Sequence, residues 1–189
     1  MNIKLHDIFL ANNRIRSFIE KTPLLYSDSL SLMSEGEIWF KLENLQKTGS
    51  FKIRGALNKI ILLSDVEKRN GVITASAGNH AQGVALAAKS FGISVKVVVP
   101  KTTPNTKKSS IEGLGAELII YGTNYDEAES YAYKLAQEFN MKYIHAFEDA
   151  DVICGQGTIG LECLLENPDF DIILVPAGGG GLISGIAIA

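Results

Sequence analysis

A parallel α/β fold, its sheet covered by helices, is what this sequence predicts, and three observations carry the prediction. Short β-branched runs alternate with longer stretches of helical spacing along the 189 residues. The runs are apolar almost throughout, as in strands covered on both faces, rather than alternately apolar and polar. Glycines punctuate the stretches, at Gly92, Gly115 and Gly122.

In chain order, Ile38–Leu42 reads as the first strand. Thr48–Ala56 then reads as a loop running into a helix. Val72–Thr74 is the second strand and leads through Ser76–His80 into an alanine-rich helix over Asn79–Phe91. Val95–Val99 is the third. Pro104 precedes a helix over Asn105–Leu114, where a fixed φ suits a helix start. Leu118–Tyr121 is the fourth strand. A helix over Tyr125–Phe139 follows, with Asp126, Glu127 and Glu129 near its positive N-terminal end. Ile172–Val175 is read as a fifth strand, followed by Gly178–Gly181 and a buried helix from Leu182. There is no internal repeat and no low-complexity linker.

Composition limits the functions open to such a chain. With 46% hydrophobic and 21% charged residues it is an ordinary globular sequence. A net charge of -3 gives no electrostatic footprint for nucleic acid or an anionic membrane. Met1–Glu20 has mixed charge and no continuous apolar core, so no signal peptide is expected, and the cytoplasm is the expected location. Ile172–Ala189 carries no charge, but Pro176 and four successive glycines break it, which argues against a membrane span. Cys154 and Cys163 match no metal-ligand spacing and are expected to be buried, reduced thiols. The chain stops inside its last apolar helix without a cap, as the N-terminal portion of a longer protein would.

Three segments could carry chemistry. Lys52 stands among Phe51, Ile53 and Ala56, with the cation Arg54 two residues on. Burial or a neighbouring cation would lower its pKa and free the amine to react with a carbonyl; a solvated surface lysine is the plain alternative. Gly178–Gly181 lets backbone N–H groups crowd around an anion at a helix N-terminus, or serves only as a tight turn. Ser76–His80 presents donors to a carboxylate at the next helix start, or simply caps that helix. A G-x-G-x-x-G match at Gly155–Gly160 lacks both a leading strand and the later acidic residue of a dinucleotide site, and reads as a helix start with close backbone packing. His80 reads as a hydrogen-bonded histidine near a helix start, while His6 and His145 read as structural or surface residues. No metal-ligand set or Ser/His/Asp arrangement emerges.

Taken in order, Lys41–Gln46 with Ser50–Ala56, Ser76–Gly83, Gly155–Thr158 and Pro176–Leu182 resemble the threonine dehydratase and serine racemase family. These are β-eliminating enzymes of fold-type II that depend on pyridoxal 5'-phosphate (PLP). The resemblance implies an α/β fold of the tryptophan synthase β type. It implies a small α/β domain over residues 54–148, set within a large PLP-binding domain of which residues 1–53 and 149–189 form the N-terminal part. Lys52 looks like the lysine that takes PLP as a Schiff base, and Phe51 like the ring packed beside it. Asn79 looks like the partner of the pyridine hydroxyl oxygen. Gly178, Gly179, Gly180, Gly181 and Leu182 would bind the phosphate. Ser76, Ala77, Gly78, Asn79 and His80 would bind the carboxylate of an amino-acid substrate.

The implied reaction is dehydration of L-threonine or L-serine to a 2-oxo acid and ammonia, in a homodimer or homotetramer. Racemising members resemble one another in a serine where this chain has Ala77, so dehydration is expected over racemisation. A serine racemase, a cysteine-synthase-like β-replacement enzyme, or a non-catalytic truncated fragment of the same fold is the alternative.

Overall fold

The computed structural model of the chain describes residues 1–189. Helix α1 (Leu5–Ile15) is followed by an antiparallel pair, β1 (Leu24–Tyr26) with β2 (Trp39–Lys41), enclosing α2 (Asp28–Ser34). A single 3₁₀ turn over Glu43–Leu45 leads to α3 (Lys52–Ile61) and α4 (Asp65–Asn70). The main sheet then builds up as β3 (Val72–Ala75), α5 (Asn79–Ser90), β4 (Val95–Val99), α6 (Asn105–Gly113), β5 (Glu117–Ile120), α7 (Tyr125–Glu138) and β6 (Lys142–Tyr143). Helices α8 (Ala150–Glu166) and α9 (Gly181–Ile188) close the chain. None of them is long and apolar enough to cross a membrane.

The four strands of the main sheet are parallel, in the order β5-β4-β3-β6. Alternation of side chains between two covered faces explains why β3 and β4 are largely apolar in sequence. Val72, Val95, Val97 and Val99 join the core that holds Ile53, Leu57 and Ile60 of α3 and the alanines of α5. Ile73, Ala75 and Val98 join Ala128, Ala132 and Leu135 of α7 in a second core. Each face of the sheet is thus buried under helices.

Behind β3 and α5, helices pack through backbone rather than through side chains. A Cβ on Gly155 of α8 would stand 2.5 Å from Arg54 O and 2.7 Å from Gly55 Cα of α3. One on Gly157 would stand 2.7 Å from Gly185 O of α9. The G-x-G-x-x-G segment is therefore not a helix start. It lies in the middle of α8, which begins at Ala150 because Asp149 Oδ1 accepts from the N–H groups of Asp151 and Val152. The close packing expected of these glycines is present.

The fifth expected strand does not form. Residues 172–175 belong to no sheet, and Ile172 and Leu174 are 75% and 90% exposed. A strand needs a neighbour for its N–H and C=O groups, and no strand of the chain runs beside this segment. The other four strands form within a residue or two of their expected bounds, as do the helices from Asn79, Asn105 and Tyr125.

Candidate active site

Strand order fixes where a site can stand. From β3 the chain moves outward to β4 and β5, then returns through α7 to place β6 on the other side of β3. The connections leaving β3 and β6 therefore diverge, and the crevice at their carboxyl ends is where ligands bind in open parallel sheets. Ser76–Gly78 leaves β3 on one side, and residues 144–149 leave β6 on the other.

Residues 144–147 form a strap that meets every segment singled out in the sequence. Ile144 O accepts hydrogen bonds from Thr74 Oγ1 (2.9 Å) and His80 Nε2 (3.0 Å). Ala146 O accepts from Lys52 Nζ at 2.8 Å, and Gln156 Nε2 stands 3.5 Å from it. Phe147 lies against the glycine run: a Cβ on Gly179 would fall 2.3 Å from its ring, and one on Gly181 would fall 2.9 Å from its Cα. His145 Nδ1 accepts from the N–H groups of Phe147 and Glu148 and so sets the curve of the strap.

Lys52 is the first residue of α3, as its place at a loop-to-helix junction implied. Burial lowers its pKa below the ordinary lysine value. Arg54 contributes nothing to that shift, contrary to the expectation from its proximity in sequence. Its guanidinium points away from the strap and is fully buried between Glu43 and Glu162, with both carboxylates at 2.6–2.9 Å. Burial alone would lower its pKa, but these hydrogen bonds hold it above the ordinary arginine value. Lys41 and Thr158 complete the network, so its charge is spent on joining β2, α3 and α8. Gly83 of α5 lets that helix lie against the Lys52 backbone, where a Cβ would meet Lys52 C at 3.0 Å.

The remaining expected residues are distributed as follows. Phe51 and Leu182 pack on one small core with Leu24, Ile159 and Cys163, and Lys52 Nζ lies 5.2 Å from the Phe51 ring centroid. Gly180 caps α9 with φ at +86° and no side chain claims its first-turn N–H groups. A Cβ on Gly178 or Gly180 would meet nothing within 4 Å. Ser76 Oγ accepts from Gly78 N at 3.2 Å, and Gly78 too faces open space. Asn79 opens α5, exposed and with a free side chain, while Ala77 packs against the core beside α5. His80 is buried, and its pKa is pushed down to about 4 by burial, aided by the charge of Lys52 and by His145.

Motif reading missed the strap itself. His145 was set aside, and Ala146 and Phe147 fell in no segment of interest, although Asp149 marked the helix start that bounds them. Together the strap, Lys52 and the glycine run offer a half-buried amine of lowered pKa and a helix N-terminus with open glycine backbone. Beside them Gln156 Oε1 is buried without a hydrogen-bond partner. An aldehyde that carries a phosphate fits that donor set.

Comparison with known proteins agrees. Residues 15–189 match the family model described as pyridoxal-phosphate dependent enzyme. The chain is 50% identical over 187 residues to an L-threonine ammonia-lyase of Thermotoga maritima, covering 99% of this chain and 47% of that one. Maize serine racemase superposes with a TM-score of 0.96 at 38% identity, over 100% of this chain and 57% of the other. Threonine deaminase isoform 2 from Solanum lycopersicum superposes with a TM-score of 0.91 at 40% identity, over 99% and 56%. The chain spans about half the length of the curated relatives it matches. An α/β chain of fold-type II, with a half-buried lysine and a glycine run held against one strap at the switch point of its sheet, belongs to the pyridoxal-phosphate dependent enzyme family.

Proposed function

We propose that the protein to which this chain belongs dehydrates and deaminates L-threonine, and L-serine with it, to a 2-oxo acid and ammonia. The observation that carries the reading is the Lys52 amine, half-sheltered from water and held by Ala146 O beside Gly178–Gly181. The threonine ammonia-lyase and threonine deaminase names of its relatives support it. When bound, PLP supplies an electron sink for charge leaving the substrate Cα.

The chain's own groups then take the following roles. Lys52 Nζ carries the cofactor, and as a free amine of lowered pKa it takes the Cα proton. Backbone N–H groups of Gly178–Leu182 hold the phosphate, Phe51 packs beside the pyridine ring, and Asn79 faces its hydroxyl oxygen. Ser76–His80 receives the substrate carboxylate on the turn before α5. Ala77 brings no hydroxyl to that turn, which favours elimination over racemisation. In this reading residues 54–148 are the small domain, and residues 1–53 and 149–189 belong to the large one. A cytoplasmic homodimer or homotetramer is the assembly we favour, and exposed Leu32, Met33 and Leu174 support burial against further protein.

Substitution of one residue tests the reading in the full-length protein. Lys52→Ala should abolish oxo-acid release from threonine, remove the yellow colour, and leave no site at residue 52 for borohydride to fix the cofactor. Dehydratase activity that survives the substitution would sink the assignment.

A further inference from the structure

Gln156 lies where the strap and the glycine run meet. It is wholly buried on α8, in a setting where leucine or methionine would fill the same volume without a polar atom. Its Nε2 addresses Ala146 O, the carbonyl that also receives the Lys52 amine. Its Oε1 has no partner and stands 3.0 Å from the place a Cβ on Gly181 would occupy. Buried polar atoms are almost always paired, so an unpaired one beside a glycine turn points to that turn as its counterpart. The next residue, Gly157, packs directly on Gly185, which holds α9 at a fixed distance from α8.

We propose that Gln156 is a positioning residue of the phosphate cradle, its amide spanning from the Ala146 carbonyl to the turn at Gly181. The span fixes the separation between Lys52 and the backbone N–H groups of the glycine run. The strap sets the orientation of the amide: only Nε2 can donate to the Ala146 carbonyl, which leaves Oε1 toward the run. The inference rests on the reading of Gly178–Leu182 as the phosphate-binding segment. It adds a side chain that neither touches the reacting atoms nor belongs to the run.

The test compares two ligands in the full-length protein, PLP and pyridoxal, which differ only in the phosphate. Gln156→Glu keeps the shape and one oxygen but sets an acid beside an anion site. It should weaken PLP about 100-fold and pyridoxal less than about threefold. Gln156→Leu removes both polar ends and should weaken PLP about 10-fold, again with little change for pyridoxal. Equal loss of both ligands, or no loss of either, overturns the proposal, since a merely structural role cannot distinguish them. If Gln156→Leu does not fold, Gln156→Glu carries the comparison alone. Uptake of PLP onto Lys52 by the unmutated protein is measured first; its failure would remove the phosphate-site reading itself rather than the part given to Gln156.

Discussion

Lys52 could be singled out in the sequence because an amine's chemistry resides in its own side chain. Its counterpart, Ala146, could not, because it contributes a main-chain carbonyl that any residue type would supply. The same limit hid the clamp at Ile144 O, although one of its donors, His80, was read as a hydrogen-bonded histidine. A carbonyl only accepts, so His80 carries its proton on Nε2 and leaves Nδ1 bare in a buried site. A second proton there would meet no acceptor and would face the charge of Lys52. The unfolded chain takes that proton near the usual histidine value, the folded chain only near pH 4. Between those values the unfolded state binds more protons, so stability falls as pH drops through the window and is unaffected above it. The loss should reach roughly 3 kcal/mol at the acid end. Urea unfolding of the protein and of His80→Gln from pH 7 to 4 checks this. The unmutated protein should lose ground to the variant as pH falls, and parallel curves would refute the assignment. Carboxylates such as Glu67 and Glu162 titrate in both proteins and cancel in the difference.

Among the elements, strands and helices with strong periodicity were read well, and those defined by their neighbours were not. Strand β6 has two residues, too few for any pattern, yet it pairs with Val72 and Ile73 and bounds the site. Residues 172–175 show the converse: β-branched composition without a strand alongside does not make a sheet. The glycines of α8 were recognised as close-packing residues but assigned to the wrong part of the helix, because the Asp149 cap six residues earlier went unused. Their position now permits a sharp contrast. Gly155→Ala drives a Cβ into the Arg54 carbonyl and the Gly55 backbone, which have no side chain to move aside, and should cost about 1–3 kcal/mol. Gly113→Ala, in the last turn of α6 with nothing within 4 Å, should instead gain about 0.5 kcal/mol. Chemical denaturation of the two variants side by side measures both signs, and equal effects would show that α8 does not pack on α3 as described.

At the scale of the whole molecule, the α/β class followed from apolar strands separated by helices, while strand order did not, since β6 could not be seen and the reversal at β3 depends on it. The same sheet leaves one stretch without support. Residues 172–175 donate and accept no backbone hydrogen bonds, whereas residues 152–161 of α8 are buried throughout. In hydrogen exchange on this chain their amides should therefore equilibrate first and those of residues 152–161 last; slow exchange over 172–175 would mean that a partner strand is present. The parallel pairing of β3 with β6 also sets an order of events during synthesis. Thr74 and the carbonyl it holds on Ile144 are 70 residues apart. At ribosomal speeds of about 5–20 residues per second, that interval lasts on the order of 4–14 s. Once β4 has been made, β3 can pair with it for the rest of that interval while its other edge stays bare, a row of unpaired N–H and C=O groups open to any passing strand. The crevice proposed to receive the cofactor is thus the last seam of the sheet to close on the nascent chain, and the step at which a chaperone has most to protect.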